Sequence, residues 1–152
     1  MAFNDTVDTP VSGNGAAQEF IHELRVRYGE CDMQGVVFNA NYLAYVDDAI
    51  DEWFQHVLNG DYAGVFDCMA KKVELEWFAP AKKGDVVRMA TRVTRWGRTS
   101  FDVEVDATVA GRPIFTATLV YVSVTPGTHE PCATPEVVRE ALGSQADAVR
   151  AT

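Results

Sequence analysis

Cysteine and histidine are scarce in this chain, three of each among 152 residues. Cys31, Cys68 and Cys132 are an odd number without close pairing, which fits reduced thiols better than a disulfide frame. His22, His56 and His129 lie far apart, and His129-x-x-Cys132 is a weak pair in a proline-rich segment, so no metal is expected. No apolar run approaches the roughly 20 residues of a membrane span, and no membrane insertion is expected. G-x-S-x-G, P-loop and G-x-G-x-x-G motifs are also missing, which sets aside the usual serine-hydrolase, nucleotide-hydrolase and dinucleotide readings. Positive charge is in deficit: the formal net charge of -9 argues against a nucleic-acid partner. Residues 1–18 lack the basic start and apolar block of a signal peptide, and their Asp, Thr, Ser, Gly and Asn content reads as a flexible tail. A cytoplasmic protein is the default expectation.

What is present is an ordinary globular composition, 47% apolar and 23% charged, on a length that makes one domain with a proper core. The charge is unevenly spread. Residues 71–98 hold eight basic side chains and three acids, a local +5 that leaves -14 on the rest. Such a zone suits a small anionic ligand, or simply solvates strand faces.

Periodicity gives the elements. Phe20 to Tyr28 reads as a strand in which Ile21, Leu24, Val26 and Tyr28 are apolar. Tyr42, Tyr45, Val46, Ala49, Ile50, Trp53, Phe54, Val57 and Leu58 recur at steps of three and four, with Asp47, Asp48, Asp51 and Glu52 opposite, predicting an amphipathic helix of about five turns. Asn39 or Asn41 can cap it, and Asn59-Gly60 ends it. Val73–Trp77, Val87–Val93, Phe101–Val109 and Ile114–Val124 follow as four strands in a meander, the last apolar on both faces and so central or covered by a partner subunit. Thr134 to Leu142 reads as a short helix with a Thr cap and Pro135 at its first position. One apolar-faced helix and one antiparallel sheet of about five strands make a two-layer α+β domain over residues 19–143, with 144–152 a frayed C-terminus.

The chemistry concentrates in the stretch Arg27 to Tyr42. Asp32 sits in a loop that runs into the helix start, near the positive end of the macrodipole, where backbone N–H groups also polarise a carbonyl oxygen. A carboxylate beside an oxyanion-binding helix end is a sufficient apparatus for acyl hydrolysis, by activating water or by direct attack. A loop Asp also makes Asx turns, and that structural role stands as the alternative. Cys31 has no His in the same motif to activate it and reads as a small loop residue.

Tyr28-Gly-Glu-Cys-Asp32-Met-Gln-Gly35-Val-Val-Phe-Asn-Ala-Asn41-Tyr42 resembles the signature of hotdog-fold acyl-CoA thioesterases of the 4-hydroxybenzoyl-CoA thioesterase family. The likeness continues through Phe78-Ala-Pro80, Gly84-Asp85 and Trp96-Gly-Arg-Thr-Ser-Phe101 and covers roughly residues 20–125. It implies a hotdog fold, one long central helix wrapped by the sheet, and hydrolysis of an acyl-CoA to free acid and CoA. Asp32 matches the nucleophile or general base. Gly35 matches the loop glycine near the substrate, and Asn39 falls where a helix-start N–H polarises the thioester carbonyl. Tyr28, Val37, Phe38 and Tyr42 would meet the substrate. Arg98, with Arg95 and Ser100 beside it, would bind the coenzyme A phosphates. Coenzyme A being part of the substrate, no cofactor is expected. Asn39 stands where many bacterial relatives carry His and the hydroxybenzoyl enzyme Tyr. The resemblance further implies a homodimer or homotetramer, joined sheet edge to sheet edge, with the site between subunits. Two alternatives stay open: a hydratase, which needs an Asp–His pair that this loop lacks, and a non-catalytic acyl-CoA or acyl-carrier binding protein.

Overall fold

The computed structural model describes residues 9–11, 19–60, 62 and 64–143. In chain order it contains β1 (Thr9–Val11), β2 (Glu19–Arg25), a 3-10 turn (Tyr28–Glu30), α1 (Asn39–Val57), β3 (Asp67–Trp77), β4 (Val86–Trp96), β5 (Ser100–Val109), β6 (Arg112–Val124) and α2 (Glu136–Leu142). The strands form one antiparallel sheet in the order β1-β2-β4-β5-β6-β3. Five long strands are thus joined by a short sixth, β1. That strand lies inside the stretch expected to be a flexible tail, paired with Glu19–Ile21, whereas 1–8, 12–18 and residues 144–152, expected to fray, lie outside the described residues.

The core follows the predicted periods. Tyr42, Tyr45, Val46, Ala49, Ile50, Trp53 and Phe54 of α1 are buried against the sheet. Val87, Met89, Thr91 and Val93 meet them from β4, and Phe101, Val103, Val105 and Ala107 from β5. Strict alternation makes these inward sets continuous, so each strand presents one apolar face. Between β5 and β6 the chain reverses through Ala110 and Gly111, both at positive φ (49° and 79°), the backbone that a two-residue hairpin turn demands.

Three expectations change. First, β4, β5 and β6 form a meander, but β3 does not join it: it pairs with β6, from Asp67 opposite Val124 to Trp77 opposite Phe115, while β2 flanks β4. This gives β6 a partner on each edge, the interior position its apolar composition calls for. Second, β2 ends at Arg25, and the core is met by Phe20, His22 and Leu24, then by Val26 just past the strand; Ile21 is buried outside the main apolar cluster, and Tyr28 is exposed. A polar residue at an inward position hid that alternation. Third, the helix caps differ. Phe38, not an Asn, occupies the N-cap of α1, and no side chain caps it. Pro135 takes the N-cap of α2, while Thr134 is buried and hydrogen-bonds Ser123 through its hydroxyl. Asn59 and Gly60 do end α1, at φ 58° and 89°. No helix among the described residues is long and apolar enough to cross a membrane.

Candidate active site

The Asp32 loop is a tight hairpin. Cys31 bridges to Val37, the Asp32 N–H donates to Val36 C=O (2.9 Å), and the Gly35 N–H returns to Asp32 C=O (3.0 Å). Gly35 sits at φ 79°, left-handed backbone that favours glycine. The Asp32 carboxylate accepts the Gln34 N–H through Oδ1 at 2.8 Å, an Asx turn, and is half-buried. The Val37 N–H donates to Ala81 C=O (2.9 Å), and Val36 bridges to Lys82, anchoring the hairpin to the loop that leads into β4.

The hairpin runs straight into α1. The first helical N–H with an acceptor is that of Asn41, which donates to Phe38 C=O (2.8 Å). The N–H groups of Asn39 and Ala40 make no hydrogen bond among the described residues, because no side chain caps this end. The Asn41 side chain turns away and donates through Nδ2 to Glu30 C=O (2.9 Å). A carboxylate therefore lies seven residues ahead of a helix end with open donors, where anions and developing oxyanions are stabilised.

The other residues expected at the site separate into two kinds. Tyr28 (82% exposed), Phe38 (53%) and Met33 stand out around the hairpin, and the Lys83 ammonium sits 5.9 Å over the Tyr28 ring. Val37 and Tyr42 do not face outward. Both are buried, and the Tyr42 hydroxyl accepts the buried Ala81 N–H at 3.0 Å, with the ring against Tyr45, Trp77 and Phe115. Burial pushes the Tyr42 phenol upward, so it stays a neutral hydroxyl.

Glu30 belongs to the motif without an assigned role there, and it is the most heavily bonded residue here. Its carboxylate accepts the Arg27 N–H (2.8 Å), the Arg27 guanidinium (3.2 Å) and the Tyr45 hydroxyl (3.1 Å). Burial pushes this carboxyl up, but the Arg27 and Tyr45 donors outweigh it and hold the group below its ordinary value. The Tyr45 phenol moves the other way, raised by burial and then by the Glu30 charge. A cleft of about 820 Å³ opens on this side of the hairpin, lined by Glu30, Tyr45, Tyr28 and Lys83 among others; Asp32 is not in its lining. An acid three residues after Arg27, closing back on the Arg27 N–H, is the capping-box pattern that could have exposed the role of Glu30 in the sequence.

Half of the eight basic side chains in residues 71–98 are paired with carboxylates among the described residues. Lys72 pairs with Glu74, Arg88 with Glu23, and Arg92 with Glu19, Glu104 and Asp106. Arg95 holds Asp102 in a bidentate pair at 2.9 Å and also donates to Ser100 Oγ (3.1 Å). Arg98 is exposed and forms no ion pair among the described residues. Its turn is held by α2: the Arg139 guanidinium donates to the carbonyls of Gly97 and Arg98 and lies 5.1 Å from the Trp96 ring. The 11-residue β4 separates this turn from the Asp32 hairpin, on the order of 35 Å at ~3.3 Å per residue.

Other candidate groups are accounted for by packing. His22 is fully buried with Nε2 2.8 Å from Asp48 Oδ2, a pair that joins β2 to α1. His56 packs on Phe20 at 5.4 Å, and His129 lies 3.8 Å from Asp67. Asp47, Asp48 and Asp51 are exposed and Glu52 half-buried, on the outer side of α1. Burial pushes the Cys68 thiol up to about 12, which makes it a poor nucleophile.

A family model described as the thioesterase-like superfamily matches residues 26–142. The chain belongs to that superfamily. Its fold is the hotdog, shared with solved structures that include the PA5185 protein of Pseudomonas aeruginosa (TM-score 0.73, 25% identity, 80% of this chain and 87% of that one). A 1,4-dihydroxy-2-naphthoyl-CoA thioesterase from Synechocystis superposes with a TM-score of 0.72 at 19% identity, covering 82% of this chain and 95% of that one. Among curated relatives, the acyl-CoA thioesterase YbgC of Helicobacter pylori is 38% identical over 71 residues, 45% of this chain and 52% of that protein. The acyl-CoA thioester hydrolase YbgC of Escherichia coli is 31% identical over 80 residues, 51% and 60% of the two chains. The matches to these curated relatives thus span little more than half of their length, and the thioesterase-like assignment of the chain rests on the longer match of 26–142.

Proposed function

We propose that this thioesterase-like chain hydrolyses an acyl-CoA to free acid and CoA, with Asp32 as nucleophile or general base. The observation that supports the reading is that the hairpin bearing Asp32 runs directly into the uncapped start of α1, where Asn39 and Ala40 keep open N–H groups. A thioester carbonyl received there has its oxygen polarised by the backbone while the carboxylate attacks it, or takes a proton from the attacking water. The Asx turn to Gln34 occupies Oδ1 and leaves Oδ2 for that work. Relatives named acyl-CoA thioesterase and acyl-CoA thioester hydrolase support the substrate class.

The site is completed by a second subunit. β3 pairs with β6 on one side only, so its 11-residue outer edge is open among the described residues. Apolar side chains gather near it: Val73 (37% exposed), Trp77 (47%) and Met69 (51%). An open strand with such a face is covered in a working protein, most simply by the same strand of another copy. That assembly also answers the separation of Asp32 from Arg98, since one subunit's acid then works with the other's arginine on the CoA phosphates. Arg98 is the better phosphate ligand of the two arginines because Arg95 is committed to Asp102.

The test is release of thiol from a panel of aromatic, short-chain and fatty acyl-CoAs, read with a colorimetric thiol reagent. Turnover at ordinary enzyme rates is expected for at least one class. Tight binding across the panel with no thiol released identifies a binding protein instead.

A further inference from the structure

The hairpin Cys31–Val37 is rigid within itself, being closed by its own backbone rungs and the Asx turn. A different group of contacts ties its base to the helix, and they meet at Glu30. The Glu30 C=O accepts two donors from the helix entry, the Phe38 N–H at 2.9 Å and Asn41 Nδ2 at 2.9 Å. Its carboxylate accepts the Tyr45 hydroxyl, one helical turn past Asn41. Arg27 holds the same carboxylate through both its N–H and its guanidinium. Five donors from four residues thus fix one acid that lies two peptide units before Asp32.

We infer that Glu30 is a positioning residue: with Tyr45, Asn41 and Arg27 it sets the distance between the Asp32 carboxylate and the open N–H groups of Asn39 and Ala40. The inference rests on the thioesterase reading of Asp32 and deepens it. Glu30 is not itself the base. Its oxygens are filled by donors, and an acid so bound is a weak proton acceptor. Asn41 has a matching part, because by donating to Glu30 it stays off the helix end and leaves those N–H groups free for substrate. Placement matters at this scale: a misplacement of about 1 Å caused by a change away from the reacting atoms costs up to about a hundredfold in rate.

The experiment compares Tyr45→Phe, Glu30→Gln and Glu30→Ala with the parent and with Asp32→Asn, measuring kcat and KM for an acyl-CoA and Tm for each protein. Tyr45→Phe deletes one hydroxyl and keeps the ring, 6.0 Å from Tyr42. Rates are taken well below the lowest Tm of the set, so that every variant is folded in the assay. The expected result is a kcat lowered about ten- to hundredfold for Tyr45→Phe and Glu30→Ala, with KM within about twofold of the parent. Glu30→Gln, which keeps an acceptor for the Arg27 N–H, falls between Glu30→Ala and the parent. Should Glu30→Ala not fold, Tyr45→Phe and Glu30→Gln carry the comparison. Lowered Tm values with parental kcat overturn the inference, because they show a contact that only stabilises. If that happens while Asp32→Asn is inert, the catalytic reading of Asp32 stands without it. An active Asp32→Asn overturns both.

Discussion

Replacing Tyr42 with Phe removes the oxygen to which a buried N–H is bonded. The Tyr42 hydroxyl is the acceptor for the Ala81 N–H at 3.0 Å, and both residues are buried, Tyr42 at 2% exposure and Ala81 at 0%. The ring itself would stay, held edge-on by Tyr45, Trp77 and Phe115. What is lost is a hydrogen bond, and a buried donor is left unpaired, a change that costs about 1–3 kcal/mol. For a chain of this size each kcal/mol moves Tm by about 2–4 °C, so a fall of about 2–12 °C is expected. Thermal unfolding followed by circular dichroism measures it, and thiol release from the best acyl-CoA gives KM in parallel. Since Tyr42 lies beneath the loop and not beside substrate, KM should stay within about twofold of the parent. A Phe variant of unchanged Tm and clearly raised KM would refute this placing and return Tyr42 to the substrate surface.

Three further outcomes are expected. Arg98→Ala should raise KM for acyl-CoA with a smaller change in kcat, by about 1.5–3 kcal/mol of lost charge-assisted contact, and an acyl-pantetheine should erase most of the difference; equal harm to both substrates removes Arg98 from the phosphate site. In solution the protein should sediment as at least a dimer of its 16.7 kDa subunit, and Val73→Asp on the open β3 edge should shift it toward monomer; a parent that is monomeric at micromolar concentration contradicts the interface. Glu30, held below its ordinary carboxyl value of 4.5, contributes stability that is fully present above 4.5 and is lost below it, as pH falls through the group's lowered value in the folded protein; acid titration of Tm should therefore show a smaller decline for Glu30→Gln than for the parent, and parallel declines would contradict the clamp.

The helix and the inner faces of β4, β5 and β6 were legible because each buried position there is filled by an apolar or small side chain at the right period. The position of β3 was not. Consecutive strands usually lie side by side, and nothing local in Phe78–Asp85 announces that the chain crosses the sheet from β3 to β4. His22 misled the reading of β2 for a related reason: its burial depends on Asp48, 26 residues on, on a helix face that by itself looks solvated. At the site, a loop carrying Asp32 into the helix start was visible from its residue types, but its closure into the Cys31–Val37 hairpin was not. Tyr42 belongs both to the motif and to the apolar stripe, and burial decides for the stripe. Arg95 and Arg98 look alike in sequence, but a cross-strand carboxylate, Asp102, claims the first.

The catalytic role of Asp32 is tested most directly by Asp32→Asn. Asn is nearly isosteric and its side-chain oxygen still accepts the Gln34 N–H, now 2.8 Å from Oδ1, so the hairpin and the melting temperature should be preserved. A neutral amide neither attacks a thioester nor takes a proton from water, so kcat should fall by at least the 10²–10⁴-fold typical of general-base assistance. Binding of a non-hydrolysable CoA thioether should survive. A stable Asp32→Asn protein that keeps more than about a tenth of the parental kcat, well outside that range, would contradict the account.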